Sequence, residues 1–310
     1  MILNRSETHV VSSRFVADDG ALWWCETASR KVRRFQLSAA DHLTLYGGSG
    51  DEFAAVHHFR SARVEISAHA IESPREAISR VVVSEGGEAI SFEGDRNVWR
   101  SLPRAYVAYS GLSGQTWEEL DGYLFLVDGD SGTVQCQRLD WFSRDRYDFA
   151  YQTLLSVTEV PGRDALIFAV QRSRNLVLYD PGARQVIGEI GVSRSGNPTV
   201  RFRMNPLELW ADSYDTLNCV DPTDWSLRRT IRLMPDDRPR SFTGPFAFDA
   251  AQSYCAVARP RREDVLILDV SSLHVVRAVT VLGDPYDVAL LTDGTVLARS
   301  LSAGNLLDSQ

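Results

Sequence analysis

The stretch DVLILDVSSLHVVRAVTVLGDPYDVALLTDG, residues 264–294, contains three short apolar runs. They cover residues 265–268, 275–281 and 288–291. Each run is too short for a helix, is rich in β-branched residues and is bounded by turn-forming residues. The pattern therefore predicts three β-strands joined by tight turns.

A similar phrase recurs along the chain at intervals of about 40–48 residues, which is the period of a β-propeller blade. Six copies begin at Ala21, Gly122, Ala165, Glu208, Ser253 and Thr295. The copies from Gly122 onward are spaced 43, 43, 45 and 42 residues apart. Residues 63–71 and 79–92 supply strands for one more blade. We therefore expect an all-β fold, a seven-bladed β-propeller of four-stranded antiparallel blades, with residues 1–310 forming a single domain.

Aspartates provide a second sign of the predicted blades, because the third strand of each blade is expected to end at an aspartate. These residues are Asp140, Asp180, Asp221, Asp269 and Asp308. A carboxylate at a strand end can accept hydrogen bonds from backbone N–H groups of the next turn. The last predicted blade has no outer strand after Asp308, and residues 2–10 are placed to supply it. We therefore expect the ring to be closed by the N-terminal strand, which would remove an exposed sheet edge.

Two segments carry a resemblance to a known family. GDPYDVALLTDGTVLARS (283–300) is similar to the GxPxxVAxSPDGxxLYVA phrase of YVTN-type seven-bladed propeller repeats, and NLVLYDPGARQVIGEI (175–190) resembles the strands that follow it. The resemblance implies the propeller fold. It implies little about function, because this fold serves lactonases, lyases, redox subunits and adaptors.

Composition narrows the choice of partners and compartment. The net charge of −8 argues against a general affinity for nucleic acid. Neither a signal-peptide core nor an 18-residue apolar run occurs, so we expect no membrane partner. Four scattered cysteines, all inside predicted strands, indicate reduced thiols and a cytoplasmic location. No nucleotide or metalloprotease motif occurs, and we expect no cofactor.

Arginine and aromatic residues are concentrated in the loops that would meet at one propeller face. The best ligand-binding candidates are Arg96, Trp99, Arg100, Arg146, Tyr147, Arg240 and Tyr286. Such a channel mouth suits an anionic small molecule or an acidic peptide or protein, through bidentate hydrogen bonds and stacking. The alternative is a solvated loop surface, in which nearby carboxylates such as Asp95, Asp145 and Asp148 neutralise the arginines.

Histidine offers no ready metal site. His57 and His58 are adjacent on a predicted strand, so their side chains point to opposite faces and cannot both line one site. The sequence thus favours a ligand-binding or protein-binding module without metal. A lactonase-type or lyase-type enzyme that uses polar residues around the central channel is the alternative, and an accessory subunit that docks through one face is a third possibility. Whether the protein is an enzyme stays open at this point.

Overall fold

The computed structural model describes residues 1–13, 20–40, 42–48, 50–58, 64–83, 89–109, 122–142, 155–170, 173–192, 199–212, 215–233, 244–300 and 306–308. These residues form antiparallel β-sheets, in which strands that follow one another in the chain are also neighbours in the sheet. Two short 3₁₀ turns, Arg96–Arg100 and Pro260–Arg262, are the helical segments among them. Neither turn has the length or the apolar character that a membrane-spanning helix requires. The chain divides into two units, residues 1–152 and 153–310.

The first unit contains three sheets. The first sheet consists of β1 (Ile2–Leu3), β2 (His9–Ser13), β3 (Ala21–Glu26) and β4 (Lys31–Gln36). The second consists of β5 (His42–Gly47), β6 (Glu52–His58), β7 (Val64–Ala70), β8 (Ala77–Val83) and β9 (Ala89–Gly94). The third consists of β10 (Ala105–Tyr109), β11 (Gly122–Asp128) and β12 (Thr133–Arg138).

The second unit begins with three four-stranded sheets. The first consists of β13 (Leu155–Glu159), β14 (Leu166–Val170), β15 (Asn175–Asp180) and β16 (Gln185–Gly191). The next consists of β17 (Val200–Met204), β18 (Leu207–Asp212), β19 (Thr216–Val220) and β20 (Leu227–Arg232). The third consists of β21 (Phe246–Phe248), β22 (Tyr254–Arg259), β23 (Asp264–Asp269) and β24 (Val275–Thr280). A last, three-stranded sheet consists of β25 (Pro285–Leu290), β26 (Val296–Ser300) and β27 (Leu306–Asp308).

Within each unit, consecutive sheets pack face to face, as the blades of a propeller do. In the second unit, Trp210 of β18 and Phe246 of β21 belong to one buried cluster. The middle strands are buried on both faces, so β14 reads as the continuous apolar run LIFAV. The outermost strand β16 instead alternates between exposed positions and positions that are partly or fully buried. The all-β prediction and the antiparallel blades are therefore confirmed.

The predicted number of blades is wrong, because the structure supports six. Among the described residues, six sheets contain at least three strands of five or more residues each. The last sheet has only two such strands, since β27 spans three residues, and it is not a complete blade. The phrase that begins at Thr295 thus predicts a hairpin correctly but does not specify a whole blade.

The repeat alignment implies that each copy begins at the second strand of its blade, because the strand after it is the one expected to close on an aspartate. One of the six copies departs from this position. Five copies begin within one residue of the start of the second strand of their described sheets, as predicted: those at Gly122, Ala165, Glu208, Ser253 and Thr295. The strand that starts at Ala21 is instead the third of its sheet. Short apolar strands of adjacent positions look alike, so even spacing can hide a shift of one strand.

The predicted closure by the N-terminal segment is wrong as well. Ile2 is paired with Val11 and Leu3 with Val10, so β1 and β2 belong to the first sheet. No described residue of this segment pairs with the sheet of β25–β27. The segment is apolar because it packs in the first unit, where Val11 lies in the same buried cluster as Leu22.

Three of the five predicted aspartates have the expected turn function. Asp180 accepts a hydrogen bond from the backbone N–H of Ala183 at 2.9 Å, and Asp269 accepts one from Ser272 at 2.7 Å. Asp221 does the same for Thr223 at 2.9 Å. In the third sheet this position is occupied by Asp128, not by the predicted Asp140, which follows the outermost strand.

Candidate functional site

The 3₁₀ turn Arg96–Arg100 carries three of the predicted ligand-binding residues. Asp95 caps the turn by accepting a hydrogen bond from the backbone N–H of Asn97 at 2.9 Å. The Arg96 guanidinium lies 5.6 Å from the centre of the Phe92 ring. Arg100 donates to Asp130 at 2.6 Å, and both side chains are exposed. This arginine therefore has a carboxylate partner, which is the neutralised arrangement that competes with anion binding.

Trp99 is a core residue in this structure. Its side chain is 4% exposed and packs edge-on against Phe92 and Tyr106. Its indole Nε1–H donates to the Ser79 hydroxyl at 2.9 Å. The ring therefore joins the 3₁₀ turn to β8, and it does not lie on a surface that a ligand could reach.

The other predicted residues do not complete this site. Arg146, Tyr147 and Arg240 lie outside the described residues. Tyr286 lies on β25 in the second unit and is partly exposed; burial raises the pKa of its phenol, and the charge of Asp284 raises it further. The anion site as a whole stays a prediction.

Buried histidines form a polar chain that the sequence did not reveal. The Ser38 hydroxyl lies 2.7 Å from His57 Nδ1, His57 Nε2 lies 2.6 Å from the Ser67 hydroxyl, and that hydroxyl lies 2.8 Å from His69 Nε2. His69 also stacks on Phe53 with ring centres 5.3 Å apart. Because one hydroxyl has one hydrogen, Ser67 can donate to one imidazole only and must accept from the other, which suits two neutral rings.

Burial holds both imidazoles in that neutral form. It lowers the pKa of His57 to about 3 and that of His69 to about 4, and the Arg80 cation acts in the same direction. Within the described ranges, no group of three or more His, Cys, Asp or Glu side chains is arranged to hold a metal ion. The chain of hydroxyls and imidazoles therefore satisfies His57, Ser67 and the Nε2 atom of His69 across β6 and β7.

The second unit has a buried charge cluster centred on Glu208. Its carboxylate accepts hydrogen bonds from Arg229 at 2.6 Å, from Trp210 Nε1 at 3.1 Å and from Arg203 at 3.2 Å. Burial alone would raise the pKa of Glu208, but these hydrogen bonds and the two arginine charges outweigh it, so the pKa lies below its ordinary value. The cluster connects β17, β18 and β20 and holds the β17–β18 hairpin in place.

Exposed apolar side chains collect at one end of the two sheets β17–β20 and β21–β24. In a four-stranded antiparallel sheet, the hairpin of the first two strands and the hairpin of the last two share an end. Met204 is paired with Leu207 and Val220 with Leu227, so these side chains lie at the hairpin end of their sheet. Tyr254 and Val275 lie at the corresponding end of the next sheet. We call Met204, Leu207, Leu227, Tyr254 and Val275 the hairpin face.

The two halves of the hairpin face adjoin each other. The backbone N–H of Met204 donates to the Gln252 side-chain oxygen at 2.7 Å, which connects the two hairpin tips. Met204 is 50% exposed, Tyr254 42% and Val275 53%. The turn carboxylates at this end bind their own backbone, as Asp249 does with the N–H of Tyr254 at 2.8 Å. Large apolar side chains are therefore left facing water, as at protein-binding surfaces.

Comparison with known proteins places the chain by fold. No protein-family model and no curated protein matches its sequence. Its structure is similar to the β-propeller domain of Cps50 (Swd1) from Myceliophteria thermophila, with a TM-score of 0.62 and 15% identity over 99% of this chain and 93% of that one. It is also similar to a chain in the crystal structure of the mitotic checkpoint complex, with a TM-score of 0.61 and 10% identity over 100% of this chain and 85% of that one.

The chain has the β-propeller fold. Identities this low establish the fold alone, and no family model supports the finer resemblance to YVTN-type repeats.

Proposed function

We propose that this chain is a protein-binding β-propeller module that docks its partner on the hairpin face. The observation that carries the proposal is the concentration of exposed apolar side chains at adjoining hairpins of the second unit. A patch of Met, Leu, Tyr and Val side chains loses unfavourable contact with water when a partner covers it. Tyr254 is suited to the centre of such a contact, because a tyrosine combines a large apolar ring with a hydroxyl.

The rigid support of the face favours the same function. Glu208 follows Leu207 in the sequence, and its carboxylate accepts hydrogen bonds from two arginines and a tryptophan. These bonds fix the β17–β18 hairpin before a partner binds. A preorganised surface loses less conformational entropy on binding. One structural neighbour belongs to an assembly, the mitotic checkpoint complex, and we infer a similar role for the propeller fold here.

An enzymatic role is the weaker alternative. The two histidines with strongly lowered pKa values, His57 and His69, are buried within their sheet and hydrogen-bonded to serine hydroxyls. An acid–base residue must reach the substrate proton that it transfers. The cytoplasmic location, the single domain and the predicted anion site remain proposals that accompany the binding function.

The test is site-specific photo-crosslinking in cells of the source organism. A photoreactive amino acid replaces Met204 or Tyr254, and Leu282 serves as the matched control because it is 75% exposed and follows β24 at the opposite end of that sheet. We expect the same protein to be captured from positions 204 and 254 and not from position 282. Leu207→Asp should release this protein in co-purification. Capture from all three positions alike, or a partner that Leu207→Asp does not release, would contradict the hairpin face.

A further inference from the structure

We propose that β4 (Lys31–Gln36) is a docking edge for an extended acidic segment of a partner protein, which adds to the first sheet as a further strand. The order of that sheet is β1-β2-β3-β4, so β4 pairs with β3 on one side only among the described strands. An outermost strand offers backbone N–H and C=O groups to an incoming strand. This proposal goes beyond the hairpin face, which belongs to the other unit and shares no residue with β4.

The positive charge of β4 and its turn indicates that the added strand is acidic. Arg30, Lys31, Arg33 and Arg34 are all exposed and lie within five consecutive positions. Residues 27–40 contain no Asp or Glu, although the chain as a whole carries a net charge of −8. Glu26 is the acidic residue paired with Lys31 across the hairpin, and its carboxylate accepts the Ser29 hydroxyl at 2.5 Å. The strand is therefore a local cationic strip on an acidic protein, which favours an acidic ligand.

The cations lie on both faces of the strand. Lys31 and Arg33 pair with Glu26 and Trp24, and so they share one face, while Arg34 pairs with Trp23 on the other. Lys31 forms no side-chain ion pair within the part of the chain that the structure describes. An added strand with acidic residues at alternate positions would bring its carboxylates opposite Lys31 and Arg33.

A fixed aromatic platform orders Arg33. Its guanidinium lies 5.8 Å from the centre of the Trp24 ring, which also stacks on His9 at 5.1 Å. Trp24 is almost fully buried, and its Nε1–H donates to the backbone carbonyl of Ile71 at 2.8 Å. Arg33 is therefore oriented before a ligand binds, and its cation–π contact leaves the guanidinium edge available to a carboxylate.

The dimensions favour a peptide over a nucleic acid. A six-residue strand is about 20 Å long, so a peptide segment of similar length can end where the cationic strip ends. A nucleic acid is a polyanion along its whole length, and beyond the strip it would meet a protein of net charge −8. The backbone of a peptide also supplies the N–H and C=O groups that pair with the edge of a β-sheet, which the backbone of a nucleic acid lacks.

The experiment measures fluorescence anisotropy of a labelled peptide with four Glu-Val repeats, titrated with the full chain. We expect binding that weakens as salt increases and roughly tenfold weaker binding for Lys31→Glu and for Arg33→Glu, because each reversal turns an attraction into a repulsion. Arg277→Glu on β24 is the matched control and should leave binding unchanged. Hydrogen exchange should show new protection of the β4 amides when the peptide is present. Thermal unfolding establishes that each variant is folded. If Arg33→Glu does not fold, Lys31→Glu alone tests the proposal.

Three outcomes would overturn the proposal. The first is equal binding of a peptide whose valine backbone nitrogens are methylated, since it keeps the charge but loses strand pairing. The second is equal or tighter binding of an octameric oligothymidylate, which would assign the strip to nucleic acid. The third is no binding of the Glu-Val peptide at low salt. Tyr254→Asp, on the hairpin face, should leave binding of the Glu-Val peptide unchanged. The proposal for the hairpin face and the proposal for the β4 edge can therefore be contradicted independently.

Discussion

The outermost strands β4 and β24 occupy the same place in their sheets but present opposite chemistry. In β4, three of six residues are cations, and the large apolar residues Val32 and Phe35 are partly buried. In β24, Val275 and Val276 are 53% and 59% exposed, and Arg277 is the single cation. All the exposed large apolar residues found in the described part of the chain belong to the second unit. The first unit thus offers charge to a partner, and the second offers apolar surface.

The two units also bury polar groups in different ways. The first unit uses neutral groups, the chain of Ser38, His57, Ser67 and His69. The second unit buries a full charge on Glu208 and balances it with Arg203 and Arg229. A neutral hydrogen-bond network is destabilised when one of its groups gains a proton. An ionised carboxylate stops stabilising the fold when its charge or its partner is removed. This difference predicts how each unit responds to acid and to mutation.

Acid should have the largest effect, and it should act through the histidines of the first unit. Their pKa values of about 3 and about 4 lie below the ordinary 6.5, so the unfolded chain binds more protons between those values and pH 6.5. The free energy of unfolding should therefore fall as pH drops through this window, by up to about 1.4 kcal/mol per pH unit for each histidine. Urea denaturation between pH 7 and pH 4.5 measures the slope.

The variant His69→Gln identifies the source of that slope. Whatever it does to stability at pH 7, it should flatten the dependence on pH by roughly the contribution of one histidine, about 1.4 kcal/mol per pH unit. An unchanged slope in this variant would show that other groups cause the acid sensitivity. The carboxylates of the second unit should lose their contribution only at lower pH, since hydrogen bonds from Ser271 and Ser272 lower the pKa of Asp269 to about 2.

Glu208→Ala should have the next largest effect. It leaves Arg203 and Trp210 without their buried acceptor, and losing one partner of a buried ion pair costs about 3–5 kcal/mol. We expect the lower end of that range, because the Arg229 side chain is 32% exposed and can be solvated. Urea denaturation followed by tryptophan fluorescence measures the loss. Glu208→Gln keeps the shape and should cost less; equal stability of Glu208→Ala and the wild type would contradict the cluster's role.

Asp130→Ala should have the smallest effect. Its ion pair with Arg100 joins two exposed side chains, and such pairs contribute about 0–1 kcal/mol. The expected loss of stability on urea denaturation is within that range and should vanish at high salt. A loss comparable to that of Glu208→Ala would mean that the 3₁₀ turn is held mainly by this pair, and not by the buried Trp99.

Local patterns accounted for much of the fold. Short apolar runs bounded by turn-forming residues predicted the strands, and the aspartates predicted the turns in which Asp180, Asp221 and Asp269 bind backbone N–H groups. The number of blades and the pairing of the N-terminal segment were not predictable in this way. Strand order depends on which strand edges pair with each other, and the strand that begins at Ala21 resembles a second strand until its partners are known.

The candidate sites show the same division. The sequence alone determined the cationic run from Arg30 to Arg34, because covalent order is sufficient to bring those charges together. Only the tertiary structure decided that Trp99 is buried, that Ser38, His57 and His69 share one polar chain, and that Met204 and Tyr254 lie on adjoining hairpins. Met204 and its hydrogen-bond partner Gln252 are 48 residues apart, and no local sequence pattern predicts such a contact. The physical reason is that burial and contact are properties of packed sheets, whereas propensity and charge belong to the residues themselves.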